Sequence, residues 1–351
     1  APSRELVLQI CKDAETLCSY HTLQVVPLIG GIRRDKDEAA IRRRRPAILV
    51  ATLSKLVEHF ETTPRFETLF DALSLLVLDE CDTLLSQQSE AVLEFLAYMP
   101  KHSHRHAMLL SATIPAEAEQ LCAALCRPGY RRLNCIKGLP TQEAVEQSVA
   151  TSPPLLLCTA LRNALDQEIR ESPMSHKVLV FFPTARLAAF AAKLFQEQLT
   201  MRIHELHSRC SPSARMLTQQ EFSASRAGVL FTTTASERGM DYPDVTLVIQ
   251  VMAPLSREQY IHRVGRTARH GKEGKALLIL LDVEEEQFLS AVDDLPLGRS
   301  SSAAALLNDE GLFTAQAFSA AKWAKGSPLP SLASGAFASL LKHLVTAQQL
   351  V

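Results

Sequence analysis

The chain has 351 residues, 47% of them hydrophobic and 21% charged, with 37 Lys and Arg against 38 Asp and Glu. That apolar fraction excludes a disordered chain. No run of about 18 apolar residues could form a membrane-spanning helix. The net charge of -1 excludes a globally basic nucleic-acid binder but leaves local patches open. Eight cysteines, none in a C-x-x-C pair, are too few for a disulfide scaffold and read as mostly buried thiols of a reducing compartment. The first residues, Ala1 to Glu5, hold no apolar core of a signal peptide.

Short apolar runs predict buried parallel strands at Val25–Ile29, Ala47–Ala51, Leu75–Leu78, Ala107–Leu110, Val178–Phe182, Val229–Phe231, Val245–Val251 and Ala276–Leu281. Helical periodicity lies between them. Glu5–Tyr20 puts Leu6, Ile10, Ala14 and Leu17 on one face, and Leu187–Leu199 does the same with Phe190, Ala191 and Leu194. Alternating strands and helices predict an α/β fold with helices on both faces of parallel sheets. Thr151-Ser152-Pro153-Pro154 breaks the pattern. The expected organisation is therefore a lobe over 1–150, a second over 151–285 and a helical extension over 286–351.

Four segments carry chemistry. Leu75–Leu78 runs into Asp79-Glu80-Cys81-Asp82, which puts adjacent carboxylates at the C-terminal edge of a sheet, where open α/β sheets bind ligands. Phosphoryl transfer needs one acid there for Mg²⁺ and another to position water. A solvated acidic turn is the plainer alternative. Leu109-Leu110-Ser111-Ala112-Thr113 is a strand running into hydroxyl residues, which also serve as ordinary helix caps. In Tyr260–Arg269, Arg266 and Arg269 are three apart and would share one helix face, aimed at a phosphate or at solvent. Thr232–Asp241 follows a strand and fits a phosphate or ribose site, or a turn.

In this order and spacing the segments resemble the DEAD-box family of RNA-dependent ATPases. Asp79-Glu80-Cys81-Asp82 resembles its name-giving motif with Cys in the Ala position. Ser111-Ala112-Thr113 matches S-A-T, and His262–Arg269 matches H-R-x-G-R-x-x-R. Pro2–Leu6 resembles P-T-R-E-L, Gly30-Gly31 the glycine doublet, Thr52–Leu56 T-P-G-R-L, and His207-Ser208 with Arg215 a further RNA-side motif. The resemblance spans about residues 1–285. It implies two tandem RecA-like parallel-sheet lobes that close over ATP and RNA, the first N-terminally incomplete, followed by a helical C-terminal extension.

By the same resemblance, Asp79 would hold Mg²⁺ through water and Glu80 would activate the attacking water. Asp82, Ser111, Thr113 and His262 would couple nucleotide to RNA, and Arg266 and Arg269 would act as arginine fingers. Gly239 and Asp241 would lie near the ribose. RNA would meet Pro2, Ser3, Arg4, Gly30, Gly31, Thr52, Lys55, Thr184, Arg215 and Thr233, through backbone and sugar rather than bases. Asp241–Thr246 and Arg257–Tyr260 resemble the branch containing fungal mitochondrial intron-splicing helicases and their plant relatives. Ala317–Leu344 with Trp323 would be a shortened form of that branch's extension.

The sequence also departs from the family pattern. It has no G-x-x-x-x-G-K-[ST], so the phosphate-cradling loop is expected on the order of 30–60 residues upstream, at roughly 30 residues per βαβ unit. Without that loop the segment alone is expected to be inactive, and hydrolysis belongs to a longer parent chain. Thr234 stands where the family has Asp, Leu53-Ser54 replaces Pro-Gly, and Pro212 replaces a Gln. Lys101–His106 reads as a solvated loop rather than a metal site. Arg42–Arg45 reads either as a solvated face or as a phosphate-binding patch. The expected function is ATP-dependent remodelling of RNA or ribonucleoprotein alongside assembly proteins, without membrane or DNA partners. The expected setting is the mitochondrial matrix, with the nucleolus or cytoplasm as alternatives, and the process ribosome assembly or RNA processing. The competing expectation is a helicase-fold scaffold that clamps RNA or protein without hydrolysis.

Overall fold

The computed structural model describes residues 1–99, 105–111, 117–134, 144–198, 202–234, 242–269, 271–300, 303–308 and 328–349. The chain divides into two compact units, Ala1–Asn134 and Cys135–Val351. No helix among the described residues is long and apolar enough to cross a membrane.

In the first unit, α1 (Arg4–Leu17) begins at Ser3, whose Oγ accepts from the Leu6 amide at 3.2 Å. β1 (Val25–Leu28) pairs in parallel with β2 (Ile48–Ala51), in the register Val25 to Ile48. α2 (Arg34–Arg44) connects them, and α3 (Leu53–Thr62) follows β2. β3 (Leu75–Leu78) pairs in parallel with β4 (His106–Leu109), with α4 (Cys81–Tyr98) between them and α5 (Glu117–Leu125) after. Leu76, Leu78, Ala107 and Leu109 face the core built on Phe60, Phe66, Phe70 and Phe95. The opposite face of β3 and β4 shows Leu75, Val77, Met108 and Leu110, each 44–49% exposed.

The second unit holds a seven-stranded parallel sheet of order β11-β5-β10-β9-β6-β8-β7. Its strands are β5 (Val145–Ser152), β6 (Lys177–Phe181), β7 (Ile203–Leu206), β8 (Gly228–Thr232), β9 (Leu247–Val251), β10 (Gly274–Leu281) and β11 (Gly298–Arg299). The helices are α6 (Leu157–Glu171), α7 (Ala185–Gln198), α8 (Pro212–Ala224), α9 (Arg257–Val264), α10 (Glu285–Ala291), α11 (Ala303–Leu306) and α12 (Leu329–Gln349). β6 and β9 are buried at every position, and separate apolar cores cover the two sheet faces.

β5, β7 and β11 carry no long apolar run. β5 reads Val-Glu-Gln-Ser-Val-Ala-Thr-Ser and alternates, while β7 is a sheet edge holding His204 and Glu205. Because β5 pairs along its whole length with β10, residues 145–150 belong to the second unit rather than the first. In the 286–351 stretch, α12 packs on α7 through Leu329, Leu332, Ala336 and Leu340.

Candidate nucleotide and RNA site

In the first unit the chemistry-bearing residues gather just beyond strand ends. Asp79 and Glu80 follow β3, and Ser111 follows β4 after one residue. The Leu110 amide donates to Leu78 O at 2.9 Å and the Cys81 amide to Leu110 O at 3.0 Å, so the two strand ends are stitched together. Glu80 takes a left-handed conformation, φ 54° and ψ 49°. A non-glycine residue there costs energy, and such strain concentrates at functional sites. The turn lets the Glu80 amide donate to Asp79 Oδ1 at 3.0 Å, which fixes that carboxylate. Asp82 is buried in the first turn of α4, its Oδ1 accepting from the Thr83 amide. Two half-buried carboxylates supply hard oxygen donors, a set that fits Mg²⁺.

Cys81, in the position where the family has Ala, is hydrogen-bonded to Ser111. Burial pushes the Cys81 thiol up, and the Ser111 contact partly offsets this. The link joins two motifs that the sequence could only place separately.

A second group lies beyond β1 and β2. The Arg4 guanidinium lies over Gly30 and Gly31; a Cβ on either glycine would meet one of its nitrogens at 3.0 Å, and Gly31 has φ 92°. The doublet therefore allows close approach of Arg4, and only glycine suits the second position. Ser3 caps α1, the Pro2 carbonyl accepts from Gln88 Nε2 at 3.2 Å, and Thr52 begins α3.

Lys55 departs from its expected RNA contact. It is 3% exposed, its Nζ lying 3.3 Å from Asp37 Oδ2, 3.0 Å from Glu58 Oε1 and 3.1 Å from Ile32 O. Asp37 also meets His59 at 3.3 Å. The ammonium is held by the fold because two carboxylates and a carbonyl surround it. Leu53, in the family's Pro position, is buried in the core, and Ser54 is exposed beside it.

In the second unit Thr184, Arg215 and Thr233 follow β6, β7 and β8. The Thr184 hydroxyl accepts from the Leu187 amide at 3.1 Å and meets Ser339 of α12 at 2.9 Å. Thr233 is buried, and Arg215 lies half-buried on α8. Pro212 is the first residue of α8 after the Ser211 cap, which accepts from the Ala214 amide at 3.2 Å. A helix start tolerates Pro there, which accounts for the departure from Gln.

Arg266 and Arg269 do not share a helix face. α9 ends at Val264 with Gly265 as its cap, and the arginines fall in the turn beyond. Arg266 Nε donates to His262 O at 3.2 Å and Arg269 Nε to Gly265 O at 3.0 Å. Both line a cavity of about 440 Å³ with Arg226, Asp244 and Lys272. Its walls include Ser175, Arg226, Thr246 and Glu273, each within two residues before a strand, so it opens at the N-terminal edge of the sheet. Thr184 and Thr233 lie at the opposite edge. His262 is buried on α9, and Arg263 stacks over Phe181 at 5.2 Å.

Sequence reading missed Gly274. A Cβ there would lie 2.1 Å from Thr267 Oγ1 and 2.8 Å from Ala268 N, so this glycine lets the arginine turn sit against β10. Its place at the head of an apolar run was the available signal. Thr113, Gly239, Asp241, Trp323 and Lys101–His104 lie outside the described residues.

Carboxylates thus lie beyond a parallel strand in one unit, and guanidiniums line a cavity in another parallel-sheet unit. The DEAD/DEAH box helicase model matches residues 1–121, and the helicase conserved C-terminal domain matches residues 160–271. The chain belongs to the DEAD-box helicase family. It is 39% identical over 304 residues to DEAD-box ATP-dependent RNA helicase 25 of Oryza sativa subsp. japonica, covering 86% of this chain and 50% of that protein. It is 36% identical over 291 residues to the mitochondrial ATP-dependent RNA helicase mss116 of Aspergillus oryzae, covering 81% and 45%. The chain thus spans about half the length of these relatives. Among solved structures, Mss116p bound to single-stranded RNA and AMP-PNP matches with a TM-score of 0.76 at 23% identity, covering 89% of this chain and 66% of that one. Dbp5 of S. cerevisiae bound to RNA and ADP-beryllium fluoride matches with a TM-score of 0.72 at 20% identity, covering 88% and 80%. These likenesses establish the RecA-like fold.

Proposed function

We propose that the full-length protein is an RNA-dependent ATPase that remodels RNA or ribonucleoprotein. The observation that carries this is the strained turn at Glu80, which fixes the Asp79 carboxylate at the end of β3 and sets the Glu80 side chain next to it. Asp79 is the residue that would hold Mg²⁺, and the ion when bound neutralises phosphate charge. Glu80 orients and deprotonates the attacking water. Arg266 and Arg269 are the guanidiniums assigned to the γ-phosphate, because bidentate donors suit its oxygens. Gly239 and Asp241 are assigned to the ribose, and Asp82, Ser111, Thr113 and His262 to coupling between nucleotide and RNA.

Pro2, Ser3, Arg4, Gly30, Gly31 and Thr52 form the RNA-facing group of the first unit. Thr184, Arg215 and Thr233 form that of the second. An organellar setting, with ribosome assembly or RNA processing as the task, is favoured by the mitochondrial designation of the Aspergillus relative. The departure at Thr234 favours a second reading, a clamp that holds RNA without turnover.

The test is ATP hydrolysis by the full-length protein with and without RNA, compared with Glu80→Gln. RNA-stimulated turnover in the wild type, lost in Glu80→Gln with RNA binding retained, supports the ATPase. RNA binding without turnover in either protein supports the clamp. Equal turnover in both proteins removes Glu80 from its role.

A further inference from the structure

Glu205, His207 and Cys210 form a cluster with no step in the proposed hydrolysis, although His207 belongs to the segment that resembles an RNA-side motif. Glu205 lies on β7 and His207 just past its end, two residues on, so extended backbone turns both to one side. The chain then folds back. The Cys210 amide donates to His207 O at 3.0 Å, bringing the thiol over the imidazole. His207 Nε2 stands 2.5 Å from Glu205 Oε1, while Cys210 Sγ stands 3.9 Å from that nitrogen and 4.0 Å from that oxygen. Among the described residues this is the one His/Cys/carboxylate trio whose ligand atoms all lie within 4.8 Å of one another. The three line an open cavity of about 490 Å³, with the His207 side chain 2% exposed at its base.

We propose that Glu205, His207 and Cys210 bind one borderline-soft divalent cation of the Zn²⁺ type, through carboxylate, imidazole and thiolate, with a fourth position open to the cavity. Mixed nitrogen and sulfur donors select such an ion over Mg²⁺ or Ca²⁺. Ordinary bond lengths put two ligands of one tetrahedral ion roughly 3.3–3.7 Å apart. The sulfur distances therefore need to close by only a few tenths of an ångström. The Glu205–His207 contact needs to open by about 1 Å, within reach of one carboxylate rotation.

The proton balance follows from the present hydrogen bonds. The Arg209 amide points at His207 Nδ1 at 3.2 Å, Cys210 Sγ lies 3.4 Å from the same nitrogen, and Nε2 faces Glu205. Loading through Nε2 frees that nitrogen of any proton it carries, which passes to Nδ1 if that position is bare and otherwise to solvent, and releases the Cys210 thiol proton to solvent. The ion would then tie the end of β7 to the start of α8. The site does not depend on the ATPase assignment.

The experiment is titration of the purified chain with Co²⁺, followed by displacement with Zn²⁺. The wild type should take up one equivalent, with thiolate-to-cobalt charge-transfer absorption and a tetrahedral ligand-field band, and Zn²⁺ should abolish both. Cys210→Ser should lose the charge-transfer band. Glu205→Gln should keep the band and bind at least about tenfold more weakly. Cys18→Ser, at a half-buried thiol elsewhere, should behave as wild type. Circular dichroism establishes that each variant is folded. Absence of the charge-transfer band in the wild type, or its persistence in Cys210→Ser, overturns the site. Undiminished affinity in Glu205→Gln overturns the carboxylate ligand.

Discussion

The two units use parallel strands in contrasting ways. In the second, β6 and β9 are buried at every position, and a core lies on each face of a seven-stranded sheet. In the first, among the described residues, β3 and β4 pair only with each other and leave Leu75, Val77, Met108 and Leu110 half exposed. Parallel strands are normally covered on both faces. The first unit meets that rule on one side of β3 and β4, the second on both sides. The contrast teaches that the carboxylate-bearing strand end is held by local hydrogen bonds, while the arginine turn is held by a deep core and by Gly274.

The largest expected difference is between the units expressed separately. Residues 135–351 should melt in one cooperative transition, whereas residues 1–134 should bind a hydrophobic dye and melt broadly. A sharp, dye-free transition of residues 1–134 breaks the contrast.

At the level of single side chains, Phe231→Ala removes a fully buried ring packed on Phe182 and Phe195. It should cost about 3–5 kcal/mol in urea denaturation of residues 135–351. In the first unit Asp37→Ala leaves the buried Lys55 ammonium with Glu58 and a carbonyl. Its cost should be about 3 kcal/mol, read as a fall in melting temperature. Val77→Ala, on the uncovered face, should cost less than about 1 kcal/mol in the same melt.

Gly274→Ala sharpens the account of the arginine turn. The added methyl meets Thr267 and Ala268 and should destabilise by about 1–3 kcal/mol. Normal stability with unchanged turnover would show that the close approach is dispensable.

The smallest effect concerns Glu284. Burial raises its carboxyl pKa, only partly offset by the Leu281 and Ala253 amides. Oε1 has no hydrogen-bond partner among the described residues. A raised carboxyl favours the fold when protonated, so its contribution is present at low pH and lost as pH rises through the folded value. Glu284→Gln should therefore match the wild type near pH 4 and exceed it at pH 7 by about 0.5–1 kcal/mol. An equal difference at both pH values contradicts this.

Much of this was legible in the sequence. Among the described residues, continuous apolar runs marked eight of the eleven strands, because apolar side chains on both faces, buried or half exposed as on β3 and β4, leave no polar alternation to read. β5, β7 and β11 escaped because edge or near-edge strands carry Glu, Gln and His. The acidic strand end, the glycine doublet and the arginine pair were visible as motifs. What the motifs left open was tertiary. Lys55 is enclosed by Asp37 from another helix, Arg266 and Arg269 sit past a helix cap, and Cys81 bonds a serine thirty residues on. None of these has a local pattern.

The proposed function assigns the carboxylates of the first unit and the guanidiniums of the second to one ATPase reaction. Its most direct test is single-turnover ATP hydrolysis by the full-length protein carrying Arg266→Ala, with RNA and nucleotide affinity measured in parallel. Turnover should fall by about 10³ while RNA affinity stays within about twofold. Turnover within about twofold of wild type would contradict the claim, because an arginine that stabilises the transferring phosphate cannot be removed at so small a cost.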